Sequence, residues 1–142
     1  LKDGSLLKGK MEWDDGINLV IIDVFPIMML QQIANVLNIR QFEPHGPDGV
    51  TVHYTFFGYA DENQELTDMR LKQINLIGPA GLISMEDGEA VEIVHRSIIR
   101  DQDQTSYIAM GGEQAKDAEH LVTEGSIIGF WEYYREVMGW AA

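Results

Sequence analysis

Asp87 is the residue of this chain whose position most needs a chemical explanation. On a helix, Asp87, Val91, Val94 and Ile98 are spaced so that their side chains share one face. The other charged side chains of the segment point away from that face: Glu86, Glu89, Glu92 and Arg96. A carboxylate that leads an apolar stripe is costly to bury unless a partner compensates its charge.

Two kinds of partner would compensate Asp87. A helix predicted over about 86–99 places it in the first turn, where free amide groups and the helix dipole stabilise an acid by up to about 1 kcal/mol. The alternative is a pocket in which Asp87 binds a metal ion or acts as an acid. The residue pattern alone favours the helix cap and leaves the pocket open.

The four histidines add little to a metal site. His45 follows a strand in a turn, His53 lies in a strand, and His120 lies in a polar segment. His95 comes eight residues after Asp87, near the edge of the same helix face. No pair has H-x-x-x-H spacing, so each is more typical of a surface or core histidine than of a ligand. The absence of cysteine excludes thiolate ligation of zinc or iron–sulfur clusters by this chain.

Length and charge limit the class of protein. With 142 residues, 45% of them hydrophobic, the chain fits one domain with its own core. It has 23 acidic against 10 basic residues, a formal net charge of -13, which disfavours a nucleic-acid partner. Its apolar stretches are too short to span a membrane, and no export leader is present. We therefore expect a soluble, cytoplasmic protein.

The first half of the chain favours β-structure. Residues 17–25, "INLVIIDVF", are typical of a buried strand that ends at Pro26. Residues 30–37 are spaced as on a helix, whereas 36–42 alternate like a strand. The turn residues "HGPDG" at 45–49, followed by "VTVHYTFFGYA", predict an antiparallel hairpin.

The second half is helical. Helices are predicted over about 61–77, 86–99 and 124–140, with the stop signal Gly78-Pro79-Ala80-Gly81 after the first. A polar segment containing Gly111-Gly112 separates the last two. Strands followed by helices indicate an α+β fold, an antiparallel sheet with helices packed on one face.

Three segments together resemble the large (alpha) subunit of Rieske-type aromatic-ring-hydroxylating dioxygenases. They are "VFPIMMLQQIANVLNIRQFEPHGPDGVTVHYTFFGYADENQE", "MRLKQINLIGPAGLISMEDGEAVEIV" and "GFWEYYREVMGW". The most specific piece is G-P-A-G followed by E-D-G-E. The resemblance covers residues 1–142 and implies the C-terminal part of the catalytic domain, with a helix-grip-like fold in which 30–37 belong to the sheet.

The resemblance also implies an iron site. In that family two histidines and one aspartate hold a non-haem iron, and the aspartate stands where Asp87 stands here. Ile77, Leu82 and Ile83 match positions that border the substrate pocket, and Ile21 and Gln31 are weaker pocket candidates. The family's D-x-x-H-x-x-x-x-H motif and its Rieske C-x-H and C-x-x-H ligands are absent from this sequence. The chain alone is therefore expected to be inactive and to hold iron weakly.

The family's activity implies cofactors and partners for a parent enzyme. It would monohydroxylate or dihydroxylate an aromatic ring with O2 at mononuclear Fe(II), in aromatic hydrocarbon catabolism. Electrons would come from NAD(P)H through a reductase, a ferredoxin and a Rieske 2Fe-2S cluster. The rest of the alpha subunit, in a homotrimer or an alpha-three beta-three assembly, would complete it. An aromatic carboxylate is the expected substrate; Arg40 or Arg70 could pair with it, although a surface ion pair is expected for both.

Two other classes remain open. One is a non-catalytic helix-grip domain that binds an apolar small molecule without metal. The other is an interaction fragment whose exposed apolar surface comes from an incomplete sheet.

Overall fold

The computed structural model of the protein describes residues 4–105, 115–117, 119 and 124–140. The chain divides into two compact units, residues 1–100 and 101–142. The glycine pair Gly111-Gly112 of the polar segment and His120 lie outside the described residues. Within the described ranges, no helix is both long enough and apolar enough to cross a membrane.

The first unit contains a four-stranded antiparallel sheet, with the strands paired in chain order. The strands are β1 (Leu19–Val24), β2 (Met28–Ile33), β3 (Val36–Pro44) and β4 (Val50–Phe57). The β3–β4 hairpin predicted from "HGPDG" is confirmed: a 3-10 turn at Gly46–Asp48 closes it, and the His45 N–H donates to the Gly49 carbonyl at 2.8 Å. The helical spacing of 30–37 was misleading, because β2 and β3 pair along their whole facing length and ladder hydrogen bonds outweigh local propensity.

Two helices follow the sheet in this unit. Helix α1 (Gln64–Ile77) begins at Asn63, whose side chain accepts from the Leu66 N–H at 3.0 Å. Helix α2 (Leu82–Arg100) begins just after Gly81. A Cβ at Gly81 would lie 2.6 Å from the Leu76 carbonyl oxygen, so only glycine permits this close return of the chain. The α+β class predicted from the sequence is confirmed.

One face of the sheet, here called the inner face, lies under α1. Val36, Asn38, Arg40 and Phe42 alternate along β3 and therefore share a face. Val36 lines a small cavity together with side chains of α1, and the Arg40 Nη2 donates to the carbonyl of Ile77 at 3.4 Å. The inner face is thus the one that the end of α1 approaches.

A buried ionic cluster joins α1 to the sheet and to the N-terminal segment. The Arg70 guanidinium pairs with Glu12 at 2.5 Å and with Glu62 at 2.8 Å, and all three side chains are only about 6–7% exposed. Arg70 also donates to the carbonyl of Asn35, in the turn between β2 and β3. The Asn35 N–H in turn donates to the Gln73 side chain at 3.0 Å.

Hydrogen bonds keep the cluster charged. Burial alone would lower the pKa of Arg70, but hydrogen bonds from its guanidinium to Glu12 and Glu62 raise it. The pKa of the Glu62 carboxyl is lowered, first by a hydrogen bond from the Tyr59 backbone N–H and next by a hydrogen bond from the Arg70 side chain. A carboxyl whose pKa is lower in the folded state stabilises the fold above its ordinary pKa, and this stabilisation is lost as the pH falls through the folded value.

Two apolar surfaces of the unit are exposed, contrary to prediction. Strand β1 was expected to be buried, yet Ile21 and Ile22 are 51% and 52% exposed. Helix α2 has no buried residue, and Val91 and Ile98 on its apolar stripe are 64% and 62% exposed. The hydrophobic pattern of the sequence identified both apolar surfaces, but no described residues cover them.

The second unit contains helix α3 (Gly125–Val137), which confirms the helix predicted over about 124–140. Its aromatic rings pack edge-on against one another and against Trp140, which follows the helix. The ring centroids are 5.5 Å apart for Phe130 and Trp131, 5.4 Å for Trp131 and Tyr134, and 5.7 Å for Tyr134 and Trp140.

We predict that Arg70→Met lowers the free energy of unfolding, because it leaves the carboxylates of Glu12 and Glu62 without their cation. Arg96→Met is the control, since its ion pair with Glu92 is mostly exposed and contributes little. Urea unfolding of both variants measures the difference. Equal losses of stability in the two variants would contradict a supporting role for the cluster.

Candidate functional site

A large cavity lies between the β3–β4 hairpin and α2. Its volume is about 790 Å³. Its apolar wall is formed by Phe42, Val50, Val52, Tyr54 and Val91. Its acidic and basic lining residues are Arg40, Asp48, Asp87, Glu92 and His95, so Glu92, which was predicted to point away from the apolar face, also lines the cavity. A concave space with a mainly apolar surface and some polar groups is suited to a small molecule.

Asp87 lies on the α2 side of this cavity. It lines the cavity together with residues of the hairpin, but it is exposed, so the packed helix that was expected to bury it is not found among the described residues. The cap is also wrong: α2 begins at Leu82, and its first turn contains no acid. No described cation pairs with Asp87. Asp87 is therefore a carboxylate on the cavity wall that has no described partner, and it does not cap α2.

Asp87 supplies only part of a metal site. No group of three or more His, Cys, Asp or Glu residues in the described part of the chain could hold a metal ion. His95 lines the same cavity, but eight residues of helix separate it from Asp87 by about 12 Å along the axis. A carboxylate oxygen suits Fe(II), so Asp87 fits an iron site as one ligand of several.

Arg40 brings a positive charge to the same cavity from β3. Its guanidinium lies 4.8 Å from the centre of the Tyr54 ring, within the range of a cation–π contact. Its Nε is buried and has no hydrogen-bond partner among the described residues. The surface ion pair expected for Arg40 is not found among the described residues. Arg40 is thus a cation that contacts an aromatic ring and has no counter-charge among the described residues.

Arg70, the other candidate for a substrate carboxylate, is already occupied. It lies in the buried cluster with Glu12 and Glu62, so the surface ion pair expected for it is also wrong. The two arginines therefore differ in their partners: Arg70 pairs with two acids, whereas no described acid pairs with Arg40.

The structure separates the predicted pocket residues from this cavity. Ile77 is buried, and its carbonyl accepts from Arg40 at 3.4 Å and from the Ser84 hydroxyl at 3.0 Å. Leu82 and Ile83 are 54% and 40% exposed at the start of α2. None of these three lines the 790 Å³ cavity as the described residues form it. Their role in a pocket stays a prediction.

The two weaker pocket candidates are direct neighbours in the sheet. Ile21 of β1 lies opposite Gln31 of β2, and Gln31 lies opposite Asn38 of β3. Gln31 and Asn38 are buried on the inner face, 7% and 0% exposed, whereas Ile21 is exposed. Asn38 was missed from the sequence. Asn38 alternates with Val36 and Arg40 and so lies on the same face of β3. This placement can be seen in the sequence only if residues 36–42 are taken as a strand.

Comparison with known proteins identifies relatives of the chain. No protein-family model matches the chain. Over nearly its whole length, however, the chain is homologous to the large oxygenase subunits of Rieske aromatic-ring-hydroxylating dioxygenases, which confirms the resemblance seen in the sequence.

Three relatives carry this homology. Terephthalate 1,2-dioxygenase, terminal oxygenase component subunit alpha 2, of Comamonas sp. is 46% identical over 98% of the chain. The anthranilate 1,2-dioxygenase large subunit of Burkholderia cepacia is 44% identical over 99%. The large oxygenase component of salicylate 5-hydroxylase of Ralstonia sp. is 38% identical over 89%. The chain spans about a third of the length of these relatives, between 30% and 34%.

We predict that Asp87→Ala changes the free energy of unfolding by less than about 0.5 kcal/mol, since the carboxylate is exposed and caps no helix. Urea unfolding of the 142-residue chain tests this. A loss above about 1 kcal/mol would show that Asp87 is structural after all.

Proposed function

We propose that the chain is the C-terminal portion of the catalytic domain of an oxygenase that hydroxylates an aromatic ring with O2 at a mononuclear non-haem iron. The homology over nearly the whole chain supports the class. The observation that supports the proposal within the structure is the Asp87 carboxylate, which pairs with no described cation and lies on the wall of a mainly apolar cavity. A negative charge without a partner at the edge of an aromatic-sized space suits a metal ligand better than a structural residue.

Asp87 would act as the carboxylate ligand of the iron. A bound iron with open positions supplies the activation of O2. The remaining protein ligands, two histidines in the family that the sequence resembles, would come from residues outside this chain. The apolar wall of Phe42, Val52 and Val91 would orient the ring and exclude water around it.

The other components of the reaction would also lie outside the chain. Electrons would pass from NAD(P)H through a reductase or ferredoxin and a Rieske 2Fe-2S cluster, whose cysteine ligands this cysteine-free chain cannot provide. The rest of the alpha subunit, in a homotrimer or with beta subunits, would complete the oxygenase. Strand β1 and helix α2, with their exposed apolar side chains, offer surfaces for that remainder.

An aromatic carboxylate is the proposed substrate. The relatives are named for terephthalate, anthranilate and salicylate, each of which is an aromatic carboxylate. Arg40 lines the cavity opposite the helix that bears Asp87 and has no described counter-charge. Its planar guanidinium suits the two oxygens of a carboxylate, and the Tyr54 ring beside it limits its freedom.

The iron site is tested by Asp87→Ala in the complete oxygenase subunit. We expect iron content, measured by elemental analysis, and turnover of aromatic carboxylates both to be lost. Glu89→Ala is the control, because Glu89 is an exposed acid of the same helix outside the cavity lining. Iron and turnover that survive Asp87→Ala would refute the assignment, and retained ligand binding without any iron in the unmodified subunit would favour a metal-free carrier. The 142-residue chain alone is expected to bind iron weakly.

The carboxylate site is tested by Arg40→Met in the same complete subunit. Loss of a charge-assisted hydrogen bond costs about 1.5–3 kcal/mol, so we expect the KM for benzoate to rise about 10- to 100-fold. Arg96→Met, which changes an exposed arginine of α2, is the matched control. A neutral ring such as toluene separates charge from packing: an equal rise in its KM would mean that Arg40 only shapes the cavity.

A further inference from the structure

Gly88 is a glycine inside helix α2 that the described fold does not require. It lies six residues after the start of the helix at Leu82, and it is not among the described glycines with positive φ. A Cβ at Gly88 would have no described atom within 4 Å, whereas at Gly81 it would lie 2.6 Å from a carbonyl oxygen. Glycine in a helix interior is less stable than alanine. No described contact therefore explains why a side chain is missing at this position.

Gly88 lies in the middle of the helix face that borders the 790 Å³ cavity. The α2 residues at the centre of this face follow one another at intervals of three or four: Ser84, Gly88, Val91 and His95. Across the cavity are the inward-facing side chains of the β3–β4 hairpin. The missing side chain at Gly88 therefore leaves the cavity wider between Asp87 and Val91.

The cavity begins at Arg40 and extends well beyond Gly88. The Ile77 carbonyl accepts from the Arg40 Nη2 at 3.4 Å and from the Ser84 hydroxyl at 3.0 Å, so β3 and α2 lie together at this end. From Ser84, α2 borders the cavity as far as His95, about 16 Å along the helix axis. Gly88 is about 6 Å along this path, so about 10 Å of the helix wall lies beyond it.

A ligand with a single ring would not reach this further part of the cavity. Benzoate measures about 5 Å from its para carbon to its carboxylate oxygens, because its bonds are about 1.4–1.5 Å long. Bound at Arg40, its ring would lie near Asp87. The side chains of Pro44, Val50 and Val91 line the cavity beyond that point. A volume of about 790 Å³ is also large for one ring, since cavities of about 300–1,000 Å³ bind drug-sized molecules.

We propose that Gly88 is a specificity-determining residue, and that its missing side chain gives room for an aromatic carboxylate with two fused rings. Arg40 would bind the carboxylate, and the first ring would lie beside Asp87. The second ring would pass Gly88 and lie between Val50 and Val91. This inference rests on the proposed function, because it needs Arg40 to hold the substrate carboxylate.

A close approach of another segment of the complete subunit to Gly88 makes a different prediction. If a backbone packed on Gly88 as one does on Gly81, even Gly88→Ala would clash and would lower the melting temperature. If the space is kept for a ligand, Gly88→Ala should leave the melting temperature of the ligand-free subunit unchanged or raise it, because alanine favours the helix.

The test uses the complete oxygenase and three single variants. Gly88→Ala and Gly88→Leu fill the space in two steps. Ala90→Leu is the matched control, since Ala90 is an exposed residue of the same helix outside the cavity lining. Dissociation constants for naphthalene-2-carboxylate and benzoate are measured by calorimetry, together with kcat/KM, melting temperature and iron content.

We expect the unmodified enzyme to bind naphthalene-2-carboxylate about tenfold or more tightly than benzoate, because the second ring buries four more carbon atoms. Gly88→Leu should bring this ratio to within about twofold of unity, since leucine blocks the path to the second-ring position, which benzoate does not use. Ala90→Leu should leave the ratio unchanged, and all three variants should retain iron.

Three results would overturn the assignment of Gly88. They are equal or weaker binding of naphthalene-2-carboxylate by the unmodified enzyme, an unchanged ratio in Gly88→Leu, and a lower melting temperature of ligand-free Gly88→Ala. If Gly88→Leu does not fold, Gly88→Ala decides: its ratio should fall by about threefold, and an unchanged ratio would overturn the assignment.

Failure of the proposed function would look different. An unmodified oxygenase that contains no iron and turns over neither acid would refute the function itself. Turnover of benzoate without tighter binding of naphthalene-2-carboxylate would refute only the role of Gly88.

Discussion

The charge of Arg70 is the constraint on which the rest of the first unit depends. One buried guanidinium bonds Glu12 of the N-terminal segment, Glu62 before α1 and the carbonyl of Asn35 between two strands. Three parts of the chain that are distant in sequence are thus fixed to one point of α1. A buried cation with two acids is not by itself strong evidence of stability, because desolvation offsets much of the attraction. Its effect is to define where α1 lies on the sheet.

The position of α1 in turn sets the position of the cavity. Its last residue, Ile77, presents a carbonyl to both Arg40 of the sheet and Ser84 of α2. The return at Gly81 brings the start of α2 within reach of that carbonyl. From there α2 runs opposite the β3–β4 hairpin, and Asp87 follows Ser84 by less than one turn on the cavity side. A displacement of α1 would therefore move the wall that carries the carboxylate.

The sequence predicted which segments form strands and helices better than it predicted which of their faces are buried. The hairpin at 45–49 was predictable because proline and glycine impose local turn geometry, and the helices were predictable from their 3.6-residue period. Burial of β1 and of the Val91–Ile98 stripe was not, since an apolar pattern shows that a face needs cover without showing whether the same chain provides it. The interpretation of Asp87 as a cap failed for a local reason: α2 starts at Leu82, four residues earlier than the acidic run suggested. Whether Arg40 or Arg70 stays free depends on long-range contacts that no local pattern contains.

Under the proposed function, Asp87 and Arg40 would each bind a separate ligand in the cavity. An acidic and a basic side chain on the walls of one cavity attract each other, and an ion pair between them would fill the space that separates them. Here they lie on different elements, and no described ion pair joins them. Arg40 is instead directed by the Ile77 carbonyl and the Tyr54 ring. Each charge therefore remains available to a partner of opposite sign, a cation at Asp87 and an anion at Arg40. An apolar wall between them is the environment that an aromatic ring bearing a carboxylate would occupy.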